Sequence, residues 1–386
     1  MRLVFVNHCH PQTPHVCAAR VRNFAEACAR AGHQVVLLTE SLEGEGDSIA
    51  PAQLTAALAG HDWRRPYHLA CAPIPGRLVA RLRDGGVPRL FRRPLLAAAY
   101  LMRSGLFTDW RDGSKPYWPV LAHTFRPHAI WGTFGNTDAW AIARGIARMA
   151  GCRWVMDMKD PWSVFIPAPL RRILAARFAD AADATALSAG HGQEVRTWFG
   201  RHAAVIYSGI DDGFLPPPPA MVTNARVLVV GALYGQPHLA ALLDGIRQWN
   251  AAAVVTYVGS EGERFRAAAA GLTVETPGYV DLPRLRELAA AAQALLYVRN
   301  PQALYQHKLV ELLALDRPIL CLPPESGEAE ALAVSLGAAF RSCGNAGDVA
   351  AGLAQLAPRP VDRAALAAYG WDAQARALLA VLGGGQ

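Results

Sequence analysis

The sequence predicts an α/β protein of two doubly wound, Rossmann-like domains, and three observations favour this fold class. The chain has 386 residues, 52% of them hydrophobic and 18% charged, which is enough for two cores. Apolar strands alternate with amphipathic helices in two successive series. A stiff segment with four consecutive prolines separates the series. We therefore predict a first domain, a linker, a second domain and a closing helix at residues 1–211, 212–224, 225–365 and 366–386.

The first domain opens with a βαβ unit. LVFVN is a buried strand, AARVRNFAEACARAG is a helix that ends at Gly32, and HQVVLLTE is a second strand. A crossover of this kind implies a parallel sheet. The alternation continues through the strands HAIWGTF, RWVMDM and ATALS, with the helices TDAWAIARGIARMAG and LRRILAARFADAAD among them, and HAAVIYSG closes this half.

The second domain repeats this alternation after the prolines. Its predicted strands are ARVLVVG, AAVVTYVG, LTVETPGYV, QALLYVR and PILCLPP, and helices lie between them. The segments EAEALAVSLG and AGDVAAGLAQL are helix-rich, and DRAALAAYGWDAQARALLAVL is predicted as one amphipathic helix. Ligands of such sheets bind beyond the carboxyl ends of the strands, so we expect the two domains to face a cleft lined by strand-to-helix loops.

The cysteines and the N-terminus favour a cytoplasmic protein. The seven cysteines are scattered and form no CxxC pair, so we expect reduced thiols and no metal site. The opening MRLVFVNHCHP holds an apolar run too short for a signal peptide. No stretch is long and apolar enough to span a bilayer.

Residues 64–115 are strongly basic. They contain eleven arginines and lysines against three aspartates, and apolar residues are interleaved with the charges. This pattern favours peripheral contact with an anionic membrane at its inner face, and a solvated basic face is the alternative. No nucleic-acid-binding motif accompanies the charge, so no nucleic-acid partner is expected.

Two loops after strands of the first domain are candidates for function. The loop NHCHPQTPHVCAAR contains His10 and is long for a strand-to-helix connection, with an irregular surface loop as the alternative. The loop GTFGNTDAW offers Gly135 near a helix N-terminus that a ligand can approach. Alternatively, Thr137 or Asp138 only caps that helix.

A third loop, DMKDPWS, carries the most specific signal of the first domain. Asp157, Lys159 and Asp160 stand close together after a buried strand. Charges in such a place are costly unless they are paired or used. Asp160 alternatively caps a turn.

The second domain offers a glycine loop and a pair of charges. Gly231 and Gly235 in VLVVGALYGQP allow close backbone approach to a phosphate. Arg299 follows a later strand and suits a phosphate or carboxylate, with a surface arginine as the alternative. Lys308 and Glu311 share one helix face, either as a surface ion pair or as ligand-binding groups. Their apolar neighbours favour the second interpretation.

The order of these features resembles that of the GT-B glycosyltransferases, specifically the retaining family-four type that uses nucleotide-sugar donors. The resemblance covers nearly the whole chain. Its most specific parts are the DPW of DMKDPWS and the segment KLVELLALDRP. The matching pieces further include VNHCHP, HAIWGTFG, VIYSGID, GALYG, TYVGSEGE and GYV.

The resemblance implies a role for each candidate residue. In the second domain Lys308 would bind the donor phosphates, Glu311 the ribose, and Val280 would face the base. The other donor-binding residues would be Gly231, Tyr234, Gly235 and Arg299. In the first domain the catalytic residues would be Asp160, Lys159 and His10, and the acceptor-binding residues Gly135, Asn136, Asp138 and Trp162. The resemblance implies no metal and no cofactor, and a closing helix that crosses back to the first domain.

The implied activity is transfer of a sugar, with retention, from a nucleoside diphosphate to a glycan, lipid-linked or small-molecule acceptor, as in polysaccharide biosynthesis. Two departures support an alternative, a non-catalytic nucleotide-sugar-binding subunit. Ala303 replaces the first of two glutamates common in the family, and no basic residue follows GALYG. A nucleotide-sugar epimerase of the same fold is a further alternative. Asp316 replaces a helix-ending glycine, and we expect it to adopt the left-handed conformation.

Overall fold

The computed structural model of the protein describes residues 1–211 and 225–384. These residues form two compact units. The first unit comprises Met1–Ser208 and Trp371–Gln386, and the second comprises Gly209–Gly370. The predicted linker, residues 212–224, lies outside the described residues. Each unit is a parallel β-sheet flanked by helices, which confirms the predicted fold class.

The sheet of the first unit has seven strands. They are β1 (Arg2–Val6), β2 (Gln34–Glu40), β3 (Tyr67–Cys71), β4 (Ala129–Phe134), β5 (Arg153–Met158), β6 (Asp183–Ala186) and β7 (Ala204–Val205). Their spatial order is β3-β2-β1-β4-β5-β6-β7, and all neighbours are parallel. The strand order reverses between β1 and β4, which is where ligands bind in sheets of this kind.

Nine α-helices lie among residues 1–208. They are α1 (Val16–Arg30), α2 (Leu54–Ala59), α3 (Leu78–Arg83), α4 (Arg89–Arg103), α5 (Thr108–Ser114), α6 (Thr137–Ala150), α7 (Trp162–Phe165), α8 (Arg171–Arg177) and α9 (Ala189–Phe199). Helix α8 is shorter than the predicted LRRILAARFADAAD helix. It ends because Arg201 donates hydrogen bonds to the carbonyls of Ala179 and Ala181, which holds the chain after Arg177 in a non-helical path.

The sheet of the second unit has six parallel strands. They are β8 (Arg226–Val230), β9 (Val254–Val258), β10 (Thr273–Glu275), β11 (Ala294–Val298), β12 (Ile319–Leu322) and β13 (Phe340–Ser342), in the order β10-β9-β8-β11-β12-β13. The helices are α10 (Gln236–Trp249), α11 (Gly262–Ala268), α12 (Leu282–Ala290), α13 (Leu309–Leu313), α14 (Gly327–Ser335), α15 (Ala346–Gln355) and α16 (Arg363–Ala367). Strand β13 was not predicted, because three half-buried residues carry too short a pattern.

The closing segment is two helices rather than the single one predicted. Helix α16 ends, and α17 (Trp371–Gly383) begins after a break at Tyr369 and Gly370. The break exists because the Ile210 amide donates to the Tyr369 carbonyl at 3.0 Å and Ile210 pairs with Gly370. Helix α17 then packs on α1, with the rings of Trp371 and Phe24 5.3 Å apart, so the chain returns to the first unit as expected.

Buried side chains cover both faces of each sheet. In the first unit one cluster contains Trp140 and Trp162, and the other contains Phe24 and Trp131. Asp316 has a φ of 54°, so the predicted left-handed conformation is confirmed. Its carboxylate accepts a hydrogen bond from the amide of Val361 at 2.9 Å, which offsets the conformational cost. None of the helices in residues 1–211 and 225–384 has the length and apolarity needed to cross a membrane.

Candidate functional site

The loop after β8 is shaped by two glycines at the carboxyl edge of the second sheet. Gly231 and Gly235 have φ values of 102° and 75°, a region that side chains rarely allow. The Tyr257 hydroxyl donates to the Gly231 carbonyl at 2.9 Å, and Glu261 accepts the amide of Leu233 at 2.8 Å. The loop is therefore held in place by β9 and by the start of α11.

Helix α10 begins at this loop with uncapped amides. Gly235 is the N-cap residue, and no side chain caps the helix. Free amides and the helix dipole at such an end favour an anion. Arg264 adds a guanidinium beside them: it donates to the Leu233 carbonyl at 3.0 Å and to Gln236 Oε1 at 3.2 Å. The glycine loop therefore has a cation beside it, although no basic residue follows the loop in the sequence. Arg264 also forms an ion pair with Glu261 at 2.6 Å.

Lys308 and Glu311 lie after β11, the strand next to β8. Among the described residues no ion pair joins them, so they are not the surface pair that the sequence left open. Burial raises the pKa of the half-buried Glu311 carboxyl, an effect that the Lys308 charge opposes and the Asp211 charge reinforces. A carboxylate in this situation gains from hydroxyl donors, which a sugar ring supplies.

The loops after β10 and β11 meet at the carboxyl edge of the sheet. Strands β9 and β8 separate β10 from β11, yet the Lys308 Nζ lies 5.5 Å from the centre of the Tyr279 ring. The two loops, with their side chains, therefore approach each other across the ends of β9 and β8. An open cavity of about 610 Å³ lies beside it, lined by the start of α11 and by Thr276, Gly278 and Tyr279. Val280 follows in this loop and is half-buried.

The remaining donor candidates also lie at this edge. Arg299 follows β11, and its Nη1 donates to the carbonyl of Ala303 at 3.0 Å. Arg299 therefore stabilises the loop that leads from β11 to Lys308, whatever else it binds. Tyr234 lies on the glycine loop with 39% of its surface exposed.

In the first unit, the loops after β4 and β5 meet at the carboxyl edge. The buried Lys159 donates from Nζ to Asp160 Oδ2 at 2.6 Å and to Cys17 Sγ at 2.8 Å. Burial alone would lower the pKa of Lys159, but Asp160 and Cys17 outweigh it and raise that pKa. A Cβ atom on Gly135 would lie 3.1 Å from Lys159 Nζ, so a larger residue there would press on the ammonium. Lys159 thus holds the partly exposed Asp160 carboxylate in place.

Asp157 does not join this cluster, so only the last two residues of the predicted triplet come together. Its carboxylate lies inside the unit and pairs with Arg20 at 2.8 Å, both side chains being fully buried. The Thr185 hydroxyl donates to Asp157 at 2.8 Å, and Arg20 donates to the Ile206 carbonyl at 3.0 Å. Burial raises the pKa of Asp157, and the Arg20 charge opposes this rise. The pair ties α1, β5, β6 and the end of β7 together.

Asn136 caps helix α6, whereas the sequence suggested Thr137 or Asp138. Its Oδ1 accepts hydrogen bonds from the amides of Asp138 and Ala139, each at 3.0 Å. An asparagine in this position satisfies two amides of the first turn. Gly135, which precedes this cap, lies beside Lys159 and Asp160.

Two predicted acceptor-binding side chains are buried, which corrects the expectation for both. Asp138 accepts the amide of Phe107 at 2.7 Å and pairs with Arg111 at 3.1 Å, and burial raises its pKa to about 6. Trp162 stacks on Trp140 with ring centroids 5.6 Å apart. Neither side chain reaches solvent, so neither contacts an acceptor in this structure.

His10 packs against His68 rather than against Lys159. The two rings lie 4.6 Å apart, and the amide of Gln12 donates to His10 Nδ1 at 3.2 Å. Burial lowers the pKa of His10. Burial and the neighbouring His10 together lower the pKa of His68 to about 4. Both rings are therefore neutral at pH 7. The histidine of this loop beside Cys17 is His15, which caps α1.

Sequence reasoning missed the residues that hold the second-unit loops in shape. Tyr257, Glu261 and Arg264 lie more than twenty residues from the loop they support, so spacing alone gave no signal for them. Tyr279 belongs to the segment GYV, in which nothing indicates that its ring lies beside Lys308. Within residues 1–211 and 225–384, no three histidine, cysteine, aspartate or glutamate side chains are grouped to hold a metal ion.

The two units together have the GT-B fold, as comparison with solved structures shows. Anabaena Alr3699/HepE, solved with UDP and glucose, has a TM-score of 0.59 at 15% identity, covering 99% of this chain and 95% of that one. The lipopolysaccharide outer core galactosyltransferase WaaB has a TM-score of 0.61 at 13% identity over 100% of both chains. Arabidopsis thaliana UGT89C1 has a TM-score of 0.57 at 13% identity over 98% of both. At such low identity the likeness establishes the fold and not the reaction.

Sequence comparison adds little to this. No family model matches the chain. A segment of 88 residues is 28% identical to an undecaprenyl-diphosphatase of Pelotomaculum thermopropionicum, which is 23% of this chain and 33% of that protein. The match therefore spans about one third of the length of that relative.

Proposed function

We propose that the protein is a glycosyltransferase that moves a sugar from a nucleoside-diphosphate sugar to an acceptor hydroxyl. The observation that carries the proposal is the carboxyl edge of the second sheet. There the uncapped start of α10 and the separate charges of Lys308 and Glu311 follow the adjacent strands β8 and β11. The fold supports the proposal, since HepE was crystallised with UDP and with UDP-glucose and WaaB is a galactosyltransferase.

In this proposal each group at the edge binds one part of the donor. The amides of α10 and the ammonium of Lys308 bind the diphosphate, and Glu311 accepts hydrogen bonds from the ribose hydroxyls. The base lies near Val280, in or beside the open cavity next to the loop after β10. Tyr234 and Arg299 are the remaining donor-binding candidates at this edge of the sheet.

The departing diphosphate needs stabilisation of its growing negative charge. We propose that the helix N-terminus and Lys308 supply it without a metal ion. The transfer would retain the configuration of the sugar, with a donor phosphate oxygen taking the proton from the attacking hydroxyl. Activity that survives EDTA, and an unchanged anomeric configuration in the product, are the expected results.

We propose that the acceptor binds at the carboxyl edge of the first sheet. Asp160 is partly exposed and oriented by Lys159, so it can accept a hydrogen bond from another hydroxyl of the acceptor and thereby position the attacking one. Gly135 leaves the backbone beside it accessible, and the neutral His10 borders the same edge. The acceptor class is a glycan, a lipid-linked sugar or a small molecule. The seven cysteines form no disulfide among the described residues, which supports a cytoplasmic protein.

A thermal-shift panel of UDP, GDP, ADP and CMP sugars tests donor binding. A ligand at about 100 times its Kd adds about 2.7 kcal/mol of stability. Replacing Lys308 by Met or Glu311 by Gln removes a charge-assisted hydrogen bond of about 1.5 to 3 kcal/mol and should weaken binding roughly 10- to 100-fold. Lys115→Met and Glu287→Gln alter exposed charges elsewhere and should shift as the wild type does.

Consumption of the bound donor separates transfer from binding. If no nucleotide sugar shifts the wild type, or if both site variants shift as it does, the proposed donor site is wrong. If a donor binds but is never consumed with any acceptor, the protein is a non-catalytic binding subunit, the alternative that Ala303 favours. Release of nucleoside diphosphate together with a glycosylated product supports the transferase.

A further inference from the structure

Helix α4 covers almost none of the core of the first unit. Ala99 is the only one of its 15 residues that is buried. Leu90, Phe91 and Met102 are 80%, 57% and 77% exposed. Single exposed apolar residues are common, but a helix that turns several large ones to solvent marks an interaction surface.

The exposed apolar side chains of α4 lie on one side of the helix. Successive residues are about 100° apart around the axis. On that geometry the apolar side chains fall within an arc of about 120°, and Arg93 and Arg89 lie about 60° and about 100° beyond the same end of it. The residues of this arc are Leu90, Phe91, Pro94, Leu101 and Met102. A continuous apolar stripe bordered by arginine is the pattern of a helix that lies in a membrane interface.

The structure also separates the basic residues of this region into two groups. One group forms internal ion pairs with Asp109, Asp112 and Asp138, and it consists of Arg77, Arg83, Arg103, Arg111 and Lys115. The other group is exposed and forms no ion pair with any described residue, and it consists of Arg64, Arg65, Arg81, Arg89 and Arg93. The half-buried Arg92 falls in neither group, because its Nη2 donates to the Arg83 carbonyl. Arg81, Arg89 and Arg93 belong to α3 and α4, on which the exposed Leu78 and the apolar arc are also found.

We propose that α4, together with Arg81 and Leu78 of α3, docks the protein on an anionic lipid bilayer. The apolar arc would enter the boundary between headgroups and acyl chains, and the unpaired arginines would bind the anionic headgroups. The charge of the surface selects this partner, since Arg81, Arg89 and Arg93 have no ion pair to any described residue and Asp84 is the one acidic residue in the sequence from 78 to 103. A nucleic acid would not require the apolar arc.

This surface continues into the carboxyl edge of the first sheet. The chain leaves α4 at Ser104, and three residues later the Phe107 ring lies 4.2 Å from that of His8. The Phe107 amide donates to Asp138 in the first turn of α6, the helix that follows β4. Docking through α4 would bring this edge to the bilayer and thereby favour a lipid-linked acceptor. That last step rests on the proposed function, whereas membrane binding itself does not.

Liposome flotation tests the docking surface without any enzymatic activity. The full chain is mixed with vesicles of phosphatidylcholine alone or with about 30% phosphatidylglycerol, at low and at high salt. We expect binding to the anionic vesicles at low salt, weakened by salt. The variant Leu90→Ser/Phe91→Ser/Met102→Ser should bind at least tenfold more weakly, and so should Arg89→Gln/Arg93→Gln. The matched controls Val334→Ser and Arg359→Gln change equally exposed residues of the second unit and should float as the wild type does.

Three results would overturn the proposal. The first is that the wild type fails to float with anionic vesicles at low salt, and the second is that both surface variants float as the wild type does. The third is that the apolar variant floats as the wild type does but has a different molecular mass by light scattering. That result would make the surface a contact between copies of this chain. Because all the substituted side chains are exposed, circular dichroism and Tm should not change. The arginine variant keeps the test valid if the apolar one is poorly soluble.

Discussion

The buried pair of Arg20 and Asp157 allows a direct test of how the first unit is held together. The perturbation is Arg20→Met, which keeps an apolar side chain of similar length beneath the Trp131 ring. It removes the partner of Asp157, both of whose oxygens accept hydrogen bonds from Arg20. What remains is a fully buried carboxylate that, among the described residues, keeps the Thr185 hydroxyl as its hydrogen-bond donor.

The expected loss follows from the burial of both partners. Breaking a buried ion pair by removing one member costs about 3 to 5 kcal/mol, because the other charge is left uncompensated. In a unit of this size about 1 kcal/mol corresponds to roughly 2 to 4 °C in Tm. The variant should therefore melt about 6 to 20 °C lower than the wild type.

Tryptophan fluorescence during urea unfolding measures this loss in the first unit. Nine of the ten tryptophans belong to that unit, Trp249 being the exception. Arg22→Met is the matched control on the same helix, since Arg22 and Glu26 are half-exposed and 3.9 Å apart. An exposed pair of this kind contributes less than about 1 kcal/mol.

The double variant Arg20→Met/Asp157→Asn decides whether the charge is the cause. Removing both charges should recover part of the lost stability, with a coupling energy of about 2 kcal/mol or more. The reasoning is refuted if Arg20→Met unfolds within about 1 kcal/mol of the wild type. It is also refuted if the double variant is no more stable than the single one.

Three further predictions concern other parts of the molecule. Lys159→Met should lower the rate of sugar transfer at least tenfold while leaving the donor-induced thermal shift intact; a lost shift would contradict its assignment to the acceptor side. Gly245→Ala places a Cβ 2.5 Å from that of Val349 and should lower the second unit's urea stability by about 1 to 3 kcal/mol, whereas the unobstructed Gly327→Ala should change it little. Burial raises the pKa of Asp138 to about 6, so the folded state binds the extra proton and stability from this group falls as pH rises from about 4 to 6. Asp138→Asn should remove up to about 3 kcal/mol of that fall in urea titrations, and an unchanged pH profile would show that Asp138 does not titrate there.

Periodicity predicted the fold because buried strands and helices require apolar residues at a regular spacing in the sequence. The strand before Asn7 and the helix ending at Arg30 lie within a few residues of their predicted bounds. The left-handed conformation of Asp316 was also predictable, because the end of a helix demands it. Elements of three residues, such as β13, carry no such repeat.

The candidate sites were predictable only in part, because side-chain partners come from distant segments. The sequence predicted that Lys159 lies beside Asp160, but it did not predict the contact with Cys17, which belongs to α1. The sequence also grouped Asp157 with Lys159 and Asp160, although Asp157 is buried in the core, where it pairs with Arg20 of α1. Composition likewise showed a basic segment in residues 64–115 without showing which arginines were already paired.

The burial of Lys159 has a practical consequence for chemical labelling. The chain contains only three lysines, and the ammonium of Lys159 is both shielded from solvent and held by Asp160 and Cys17. An amine-reactive reagent should therefore modify chiefly Lys115 and Lys308 among the side chains. Lys115 serves as an internal standard, and occupancy of the second unit by a nucleotide can be read from the protection of Lys308 in a peptide map.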